Sequence, residues 1–450
     1  MSHTNMVKNK LKSSISVKLV VIGLLLLILQ IPQLFVQALI NERQSMHYEA
    51  RNTITQRWGG SQHIGPPLLN TSHQVEQVVK GKKQIKMINS QILPASFSID
   101  VDIDASTRYL GIYEVPVFIA QLTMNGVLEL DPLKNLGSSK DWQIENIFIP
   151  IKSMRGLKSV SHLKVNGQDV EVAQQQNLIN GQTGISLDLS QLKLDLNRSI
   201  IRLNYEIKLS VAGSEQFSVL PMAGQSEIKI HANWPSPSFN GDFLPAQRTI
   251  NEDGFSANWQ VNEMNHNLGR VIRDSFEQDE QASQRFSNYS ASRNWPELGV
   301  EILIPADNYQ VNERAVKYSL LIMVLTFAGF FLAEIFFKLR LHPFQYLLIG
   351  FSLTAFYLLL LSVSEYIYFD WAFAIAVLAN IGLIGGYCSV ILKQQQRGLL
   401  TALLFAVLYA FIFVLVKAEQ SSLLMGAIGI WVFLALVMYL TRKIDWYEEV

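Results

Sequence analysis

Asp100, Asp102 and Asp104 form the most cation-like pattern in the sequence, because carboxylates at alternate positions open the calcium loop of an EF-hand. The loop does not continue. Ala105 stands where a turn glycine is required, and Gly111 where a bidentate glutamate would close the ligand set. Period-two patterning instead points all three carboxylates along one face of a strand, which predicts a solvated acidic strand. No His-Glu-x-x-His motif occurs and the 8 histidines are scattered, so neither a metal nor a cofactor is expected.

Three further polar residues sit in or beside apolar runs. An ionisable group at the centre of a membrane span costs roughly 2.5 to 3.5 kcal/mol on insertion scales. Glu334 lies near the end of its run, where it could snorkel or pair with Lys338 on the same helix face. Glu365 lies near the end of the next run. Proton coupling or transport is the functional reading of both; interfacial placement is the plainer one and is favoured. His342 precedes Pro343 in a short turn with no activating Ser, Cys or carboxylate arrangement beside it, so a structural histidine is expected. No catalytic residue is assigned, and the chain is read as non-enzymatic. Gly382, Gly385 and Gly386 lack the strand-to-helix setting of a phosphate loop and favour close helix packing.

The richest candidate for recognition is residues 234–245, where Trp234, Pro235, Phe239, Asp242 and Phe243 combine aromatic area with a stiff backbone. As an interaction loop, this segment would expose its rings to a partner. As a buried corner between sheets, it would turn them inward and use Asp242 to accept backbone hydrogen bonds. The corner is the favoured reading, since turns need Gly and Asp for conformational reasons alone.

The elements that must position these residues begin with six apolar runs, at about 19–39, 318–337, 345–363, 371–392, 399–416 and 423–440. A bilayer core about 30 Å thick needs roughly 20 helical residues, and each run approaches that length. Lysine and arginine collect beside cytoplasmic span ends. Here Lys8, Lys10, Lys12 and Lys18 precede the first run, Lys338 and Arg340 follow the second, Lys393 and Arg397 follow the fourth, and Arg442 and Lys443 follow the sixth. The alternate connections hold Glu365 with Asp370, and Lys417 with Glu419, which are acidic or mixed. Both termini are therefore predicted to be cytoplasmic. Residues 1–18 form one tail, 19–40 an uncleaved signal anchor, 41–317 an exported domain, 318–440 a five-helix membrane domain and 441–450 a second tail. A cleaved signal peptide fits less well, since no small-x-small site follows the first run. Trp371, Trp431, Trp446 and Tyr447 suit interface anchoring.

Hydrophobic alternation through the exported region predicts strands. Residues 201–211 show it best, with Ile201, Leu203, Tyr205, Ile207, Leu209 and Val211 on one face and polar residues on the other. Similar runs cover 97–103, 185–189, 228–234 and 300–304. Residues 41–58 hold no Pro or Gly and are predicted to extend the first helix until Gly59, Gly60, Gly65, Pro66 and Pro67 break it. The expected fold is thus a mixed membrane protein, with six transmembrane helices and a large, mainly-β, sandwich-like outer domain. The only cysteine, Cys388, lies in the fourth run, so no disulfide staples that domain. Sequons at Asn70, Asn197 and Asn288 carry no weight outside a eukaryotic secretory pathway.

Residues 233–245 read Asn-Trp-Pro-Ser-Pro-Ser-Phe-Asn-Gly-Asp-Phe-Leu-Pro. They resemble the Trp-Pro, Phe, Gly-Asp-Phe-Leu-Pro segment of the CreD family of bacterial inner-membrane proteins. Similarity extends through 314–334, 340–343 with 345–348, 362–365 and the ending 441–447. The long polar cytoplasmic tail of some members does not follow, so no role vested in it is expected. The resemblance implies an inner-membrane location, a periplasmic outer domain and a link to envelope integrity, colicin tolerance and β-lactam responses. It supplies no catalytic residue. The expected function is a stress-response protein whose periplasmic domain senses or binds an envelope component. A transporter or lipid-handling protein using the five C-terminal helices is the alternative. The lipid bilayer, an envelope protein or component and a homo-oligomer are the expected partners; nucleic acid is not.

Overall fold

Backbone freedom at Gly59 and Gly60 ends the longest helix of the chain. Helix α1 runs Ile15–Trp58, and the two glycines after it adopt φ of +111° and +70°, the left-handed region that glycine enters without steric cost. The polar stretch 41–58 is thus helical, as its lack of Pro and Gly predicts. In this computed structural model the described residues are 15–79, 82–131, 142–173, 183–192, 199–266, 268, 270–273, 295–302, 308–336, 341–391, 395–418 and 421–442. Lys8, Lys10, Lys12, Asn197, Asn288, Ile304, Lys338, Arg340, Lys393, Glu419, Lys443, Trp446 and Tyr447 lie outside the described residues. The chain divides into two units, Glu49–Pro305 and a second made of Met1–Tyr48 with Ala306–Val450.

The first unit is mainly β, and among the described residues its strands form three sheets rather than the two of a simple sandwich. A four-stranded sheet runs Gln62–Ile64 (β1), Gln216–Val219 (β12), Leu298–Ile302 (β18) and Pro237–Gly241 (β14). A six-stranded sheet runs Val271–Arg273 (β17), Lys82–Ile92 (β3), Leu68–Val79 (β2), Trp142–Pro150 (β6), Gly184–Asp188 (β10) and Val172–Ala173 (β9). The third has eight strands. They are Gln247–Asn251 (β15), Gly254–Asn262 (β16), Gln225–Ala232 (β13), Ser96–Leu110 (β4), Tyr113–Leu130 (β5), Ile201–Ser214 (β11), Leu157–Val165 (β7) and Gln168–Asp169 (β8). A short helix, Glu263–His266 (α2), follows β16.

Alternation in sequence becomes alternation in burial. Along β11 the side chains of Ile201, Leu203, Tyr205, Ile207 and Leu209 are buried, while Arg202, Asn204 and Lys208 are exposed. All three sheets contribute to one apolar cluster, with Phe217 and Val300 from the first, Leu69, Ile147 and Ile185 from the second, and Phe97, Phe118 and Trp259 from the third. A continuous core of this size accounts for folding without disulfides. The end of α1 is tied onto this unit by Trp58 Nε1, which donates to the Phe118 carbonyl at 3.2 Å, and by Arg51, which pairs with Glu215 at 2.6 Å.

The second unit holds the first part of α1 with Asn308–Lys317 (α3), Ser319–Phe336 (α4), Pro343–Ser364 (α5), Phe369–Ile391 (α6), Gln395–Lys417 (α7) and Ser422–Thr441 (α8). Among the described residues, α1, α5, α6 and α7 are long and apolar enough to cross a membrane. Helices α3 and α4 meet at a 42° bend and make a fifth candidate if taken as one span. The apolar part of α8 described here, Leu423–Tyr439, is shorter. Ion pairs sort the helix ends within this unit. Lys18 near the start of α1 reaches Glu334 near the end of α4 at 2.9 Å, which puts these two helix ends side by side. At the other end Arg43 lies 3.4 Å from Glu365, and Lys417 lies 2.5 Å from Asp370.

Candidate functional site

The β unit opens into a cavity of about 530 Å³ lined by residues from six separate stretches of chain: His63, 150–152, Thr183, Leu220, 241–242 and 295–297. Backbone bonds hold the stretches together. Ile64 bridges Ile151, Lys152 N–H donates to the His63 carbonyl at 3.0 Å, Ile151 N–H donates to the Thr183 carbonyl at 2.9 Å, and Leu220 N–H donates to the Ile64 carbonyl at 2.9 Å. Trp295 packs with Leu220 against the small apolar cluster of Leu68, Leu93 and Met222.

A chain of polar groups crosses this cavity. Asp242 N–H donates to the Glu297 carbonyl at 2.7 Å, and Asp242 Oδ2 accepts from Glu297 N–H at 3.1 Å, a reciprocal clasp between β14 and the entry to β18. Gly241 makes the clasp feasible. Its φ is +95°, and a Cβ there would run into the Glu297 carbonyl. The Glu297 carboxylate then lies 3.0 Å from His63 Nδ1, and Lys152 Nζ lies 3.2 Å from His63 Nε2 and 3.0 Å from Ser61 Oγ. An ammonium can only donate, so these partners assign the tautomer: His63 carries its proton on Nδ1 toward Glu297 and accepts at Nε2 from Lys152.

Burial, and then the neighbouring Lys152 charge, lower the His63 pKa from 6.5 to about 4. An unfolded chain takes up this proton near pH 6.5, whereas the folded one holds out to about 4. In that window the unfolded state binds more protons, and stability falls as the pH falls. The expected loss between pH 7 and pH 4 is about 2 kcal/mol from this residue after solvent screening is allowed for. Thermal melts of the wild-type chain and of His63→Gln at pH 7 and pH 4.5 check this, and equal pH slopes in the two would refute it.

The structure brings one residue of the sequence-predicted loop into this cavity and turns others inward. Asp242 lines the cavity, whereas Trp234, Phe239 and Phe243 are half-buried and pack on the main core. Phe239 meets Phe255 and Trp259 edge-on at 5.6 and 5.8 Å, and the Phe243 carbonyl accepts from Trp259 Nε1 at 3.1 Å. Pro235 is exposed. The segment thus has the geometry of a corner with an aromatic anchor. The other candidates are dispersed. Asp100, Asp102 and Asp104 are exposed along β4, and no group of three metal-ligating side chains occurs among the described residues. His342 caps α5, its Nδ1 accepting from Phe344 N–H at 3.2 Å while Gln345 accepts from His342 N–H at 2.9 Å, a capping box that explains the histidine structurally. Gly385 approaches Ala402 and so packs closely, but Gly382 and Gly386 face open space.

Glu334 is buried rather than snorkelling. It accepts from Lys18 and from Leu341 N–H, each at 2.9 Å, and from the Tyr346 hydroxyl at 3.3 Å. The i+4 partner Lys338 lies outside the described residues.

Comparison with known proteins bears on all of these segments at once. Residues 14–447 match the family described as inner membrane protein CreD. The chain is 33% identical over 428 residues to the inner membrane protein CreD of Escherichia coli (strain K12), covering 94% of this chain and 91% of that one. The chain belongs to the CreD family. Among solved structures, a zinc metallopeptidase mutant from Deinococcus radiodurans bound to a Tyr-Ser-Ala substrate is similar at 12% identity with a TM-score of 0.19, covering 38% of this chain and 39% of that one. A structure of the M1 zinc metallopeptidase from Deinococcus radiodurans gives a TM-score of 0.17 at 10% identity and 38% coverage of each chain. This chain spans under two fifths of those peptidases, and a likeness so slight carries no argument.

The CreD match takes in both units, and so includes a polar cluster that reading for ionisable groups overlooks. Within the membrane unit, Ser352 on α5 donates to Asn380 Oδ1 on α6, and Asn380 Nδ2 donates to Tyr409 on α7 at 2.6 Å. All three are buried and join three helices in an apolar setting. Asn380 stands near the middle of a 23-residue apolar helix, and that position was the available signal. Because each group here has a partner, the cluster acts as interhelical glue.

Proposed function

We propose that this CreD-family inner membrane protein is a non-enzymatic envelope component whose β unit faces the periplasm and binds or senses another component of the envelope. In this reading it supports envelope integrity under stress, including tolerance of colicins. The cavity carries the proposal. It gathers six stretches of chain, and it uses Gly241 and Asp242 of the most distinctive motif to fix Glu297 beside His63. A preformed concave site with a few convergent polar groups is what a small-molecule binding domain requires.

Orientation is part of the proposal. Lys18 and Arg442 stand beside helix ends read as cytoplasmic, and six spans return the chain to its starting side. Helix α8 completes the six. Its described apolar part, 17 residues long, reaches about 25 Å, a mismatch that bilayer thinning or flanking side chains can absorb.

A photo-crosslinking residue at Thr183, which lines the cavity outside its chain of polar groups, tests the reading in stressed cells against the same probe at Asp102 on the solvent face of β4. Capture of an envelope component at Thr183 and not at Asp102 is expected. Equal capture at both positions, or at neither, would overturn it.

A further inference from the structure

We propose that the cleft between His63 and the Gly241–Asp242 corner takes a neutral, hydroxyl-rich ring ligand, a saccharide of one or two units. This rests on reading the β unit as a binding domain and adds the chemistry of what it binds. The volume of about 530 Å³ falls within the usual range for small-molecule sites, roughly 300 to 1,000 Å³. Trp295, half-buried at the rim with the edge of Leu220 beside it, supplies apolar surface, and Lys152, Asp242 and Glu297 supply polar groups. A pyranose presents the same division, with C–H faces for the apolar surface and a rim of hydroxyls for the polar groups.

The balance of charge selects among ligands of this size. Every charged group already has a neighbour: Lys152 holds Ser61 and His63, Glu297 holds His63, and Asp242 holds the Glu297 N–H. With His63 neutral, the cleft carries one ammonium against two carboxylates. A free anion would meet both carboxylates, while the one negative charge in excess, spread over two carboxylates that already accept N–H bonds and opposed by Lys152, makes a weak cation site. Hydroxyls donate and accept alike. They can take the third N–H of Lys152 and give to the second carboxylate oxygens of Asp242 and Glu297 without breaking the bonds that shape the site.

Saturation-transfer NMR on the detergent-solubilised full chain tests this with cellobiose, maltose and N,N′-diacetylchitobiose as neutral probes, glucose 6-phosphate as the anionic probe and trilysine as the cationic one. At least one neutral disaccharide is expected to bind. Glu297→Gln should weaken that binding about tenfold, the worth of one charge-assisted hydrogen bond, while Asp102→Asn leaves it unchanged. Should Glu297→Gln fail to fold, Lys152→Met tests the same site from its other side. Disaccharide binding indifferent to these cleft variants would overturn the inference, as would no binding of any neutral probe. Binding of only the charged probes, lost in the cleft variants, would refute the saccharide and leave the binding reading standing. The crosslinking at Thr183 reports on that parent reading separately, since it presupposes no ligand class and leaves Lys152, Asp242 and Glu297 in place.

Discussion

Trp259→Ala is expected to destabilise the β unit by about 3–5 kcal/mol, the usual cost of deleting a large buried aromatic, and to lower its melting temperature by on the order of 10 °C. Trp259 is 1% exposed and lies on β16, in the cluster shared by all three sheets. Two features raise its cost above that of an ordinary core residue. Its ring packs edge-on against Phe239, and its Nε1 donates to the Phe243 carbonyl, so it anchors two of the three aromatic residues of the 234–245 corner. Trp259→Phe keeps most of the packing and drops the hydrogen bond, for which about 1 kcal/mol is expected. Hydrogen exchange across β13 and β16 in the full chain, alongside thermal melts, measures both. A Trp259→Ala chain that melts within about 2 °C of wild type would show that the corner is not seated on this ring.

Much of the fold is legible because its signals are periodic or compositional. Alternation at 201–211 becomes the inward and outward faces of β11, and the absence of helix breakers before Gly59 becomes the long extension of α1. The number of sheets is not legible. Strand faces record which side is buried, but they do not say which strand lies opposite, and β13 pairs in parallel with β4 across more than a hundred residues of sequence. The apolar run at 318–337 is likewise readable as a helix, whereas the bend that joins it to α3 has no proline or glycine to mark it.

The candidate site is legible only at its corner. Gly241 and Asp242 stand out because turn chemistry demands those residue types, and the structure gives each a matching task. His63, Lys152 and Glu297 belong to unremarkable stretches, and it takes the pairing of β1 with β12, of β12 with β18 and the bridge from Ile64 to Ile151 to bring them together. The aromatic residues of the corner were ambiguous for a physical reason. A proline-rich segment has no fixed period, so nothing in it says whether Phe239 and Phe243 point outward or in.

Removing the Glu334 carboxylate is the second change expected to cost heavily. Glu334 lies 316 residues from Lys18, a separation at which sequence proximity could not suggest the pair, and its side chain is 5% exposed against 35% for the lysine. Glu334→Ala strands three donors at once: the Lys18 ammonium, the Leu341 N–H and the Tyr346 hydroxyl. Leaving the buried Tyr346 hydroxyl and the Leu341 N–H unpaired costs about 1–3 kcal/mol each, and the Lys18 ammonium, a third exposed, adds less. Lys18→Met combined with Glu334→Gln removes both charges and should recover part of that loss, with a coupling energy of about 1–3 kcal/mol between the two sites. Unfolding in detergent measures the cycle, and additive single effects would show that the two side chains do not act as a pair. The same variants separate structure from proton coupling. If the carboxylate only clamps α1 to α4, then Glu334→Gln retains the envelope phenotype proposed above wherever its folded abundance is retained. A lost phenotype at full abundance and unchanged stability would instead assign Glu334 a protonation role that the clamp does not require.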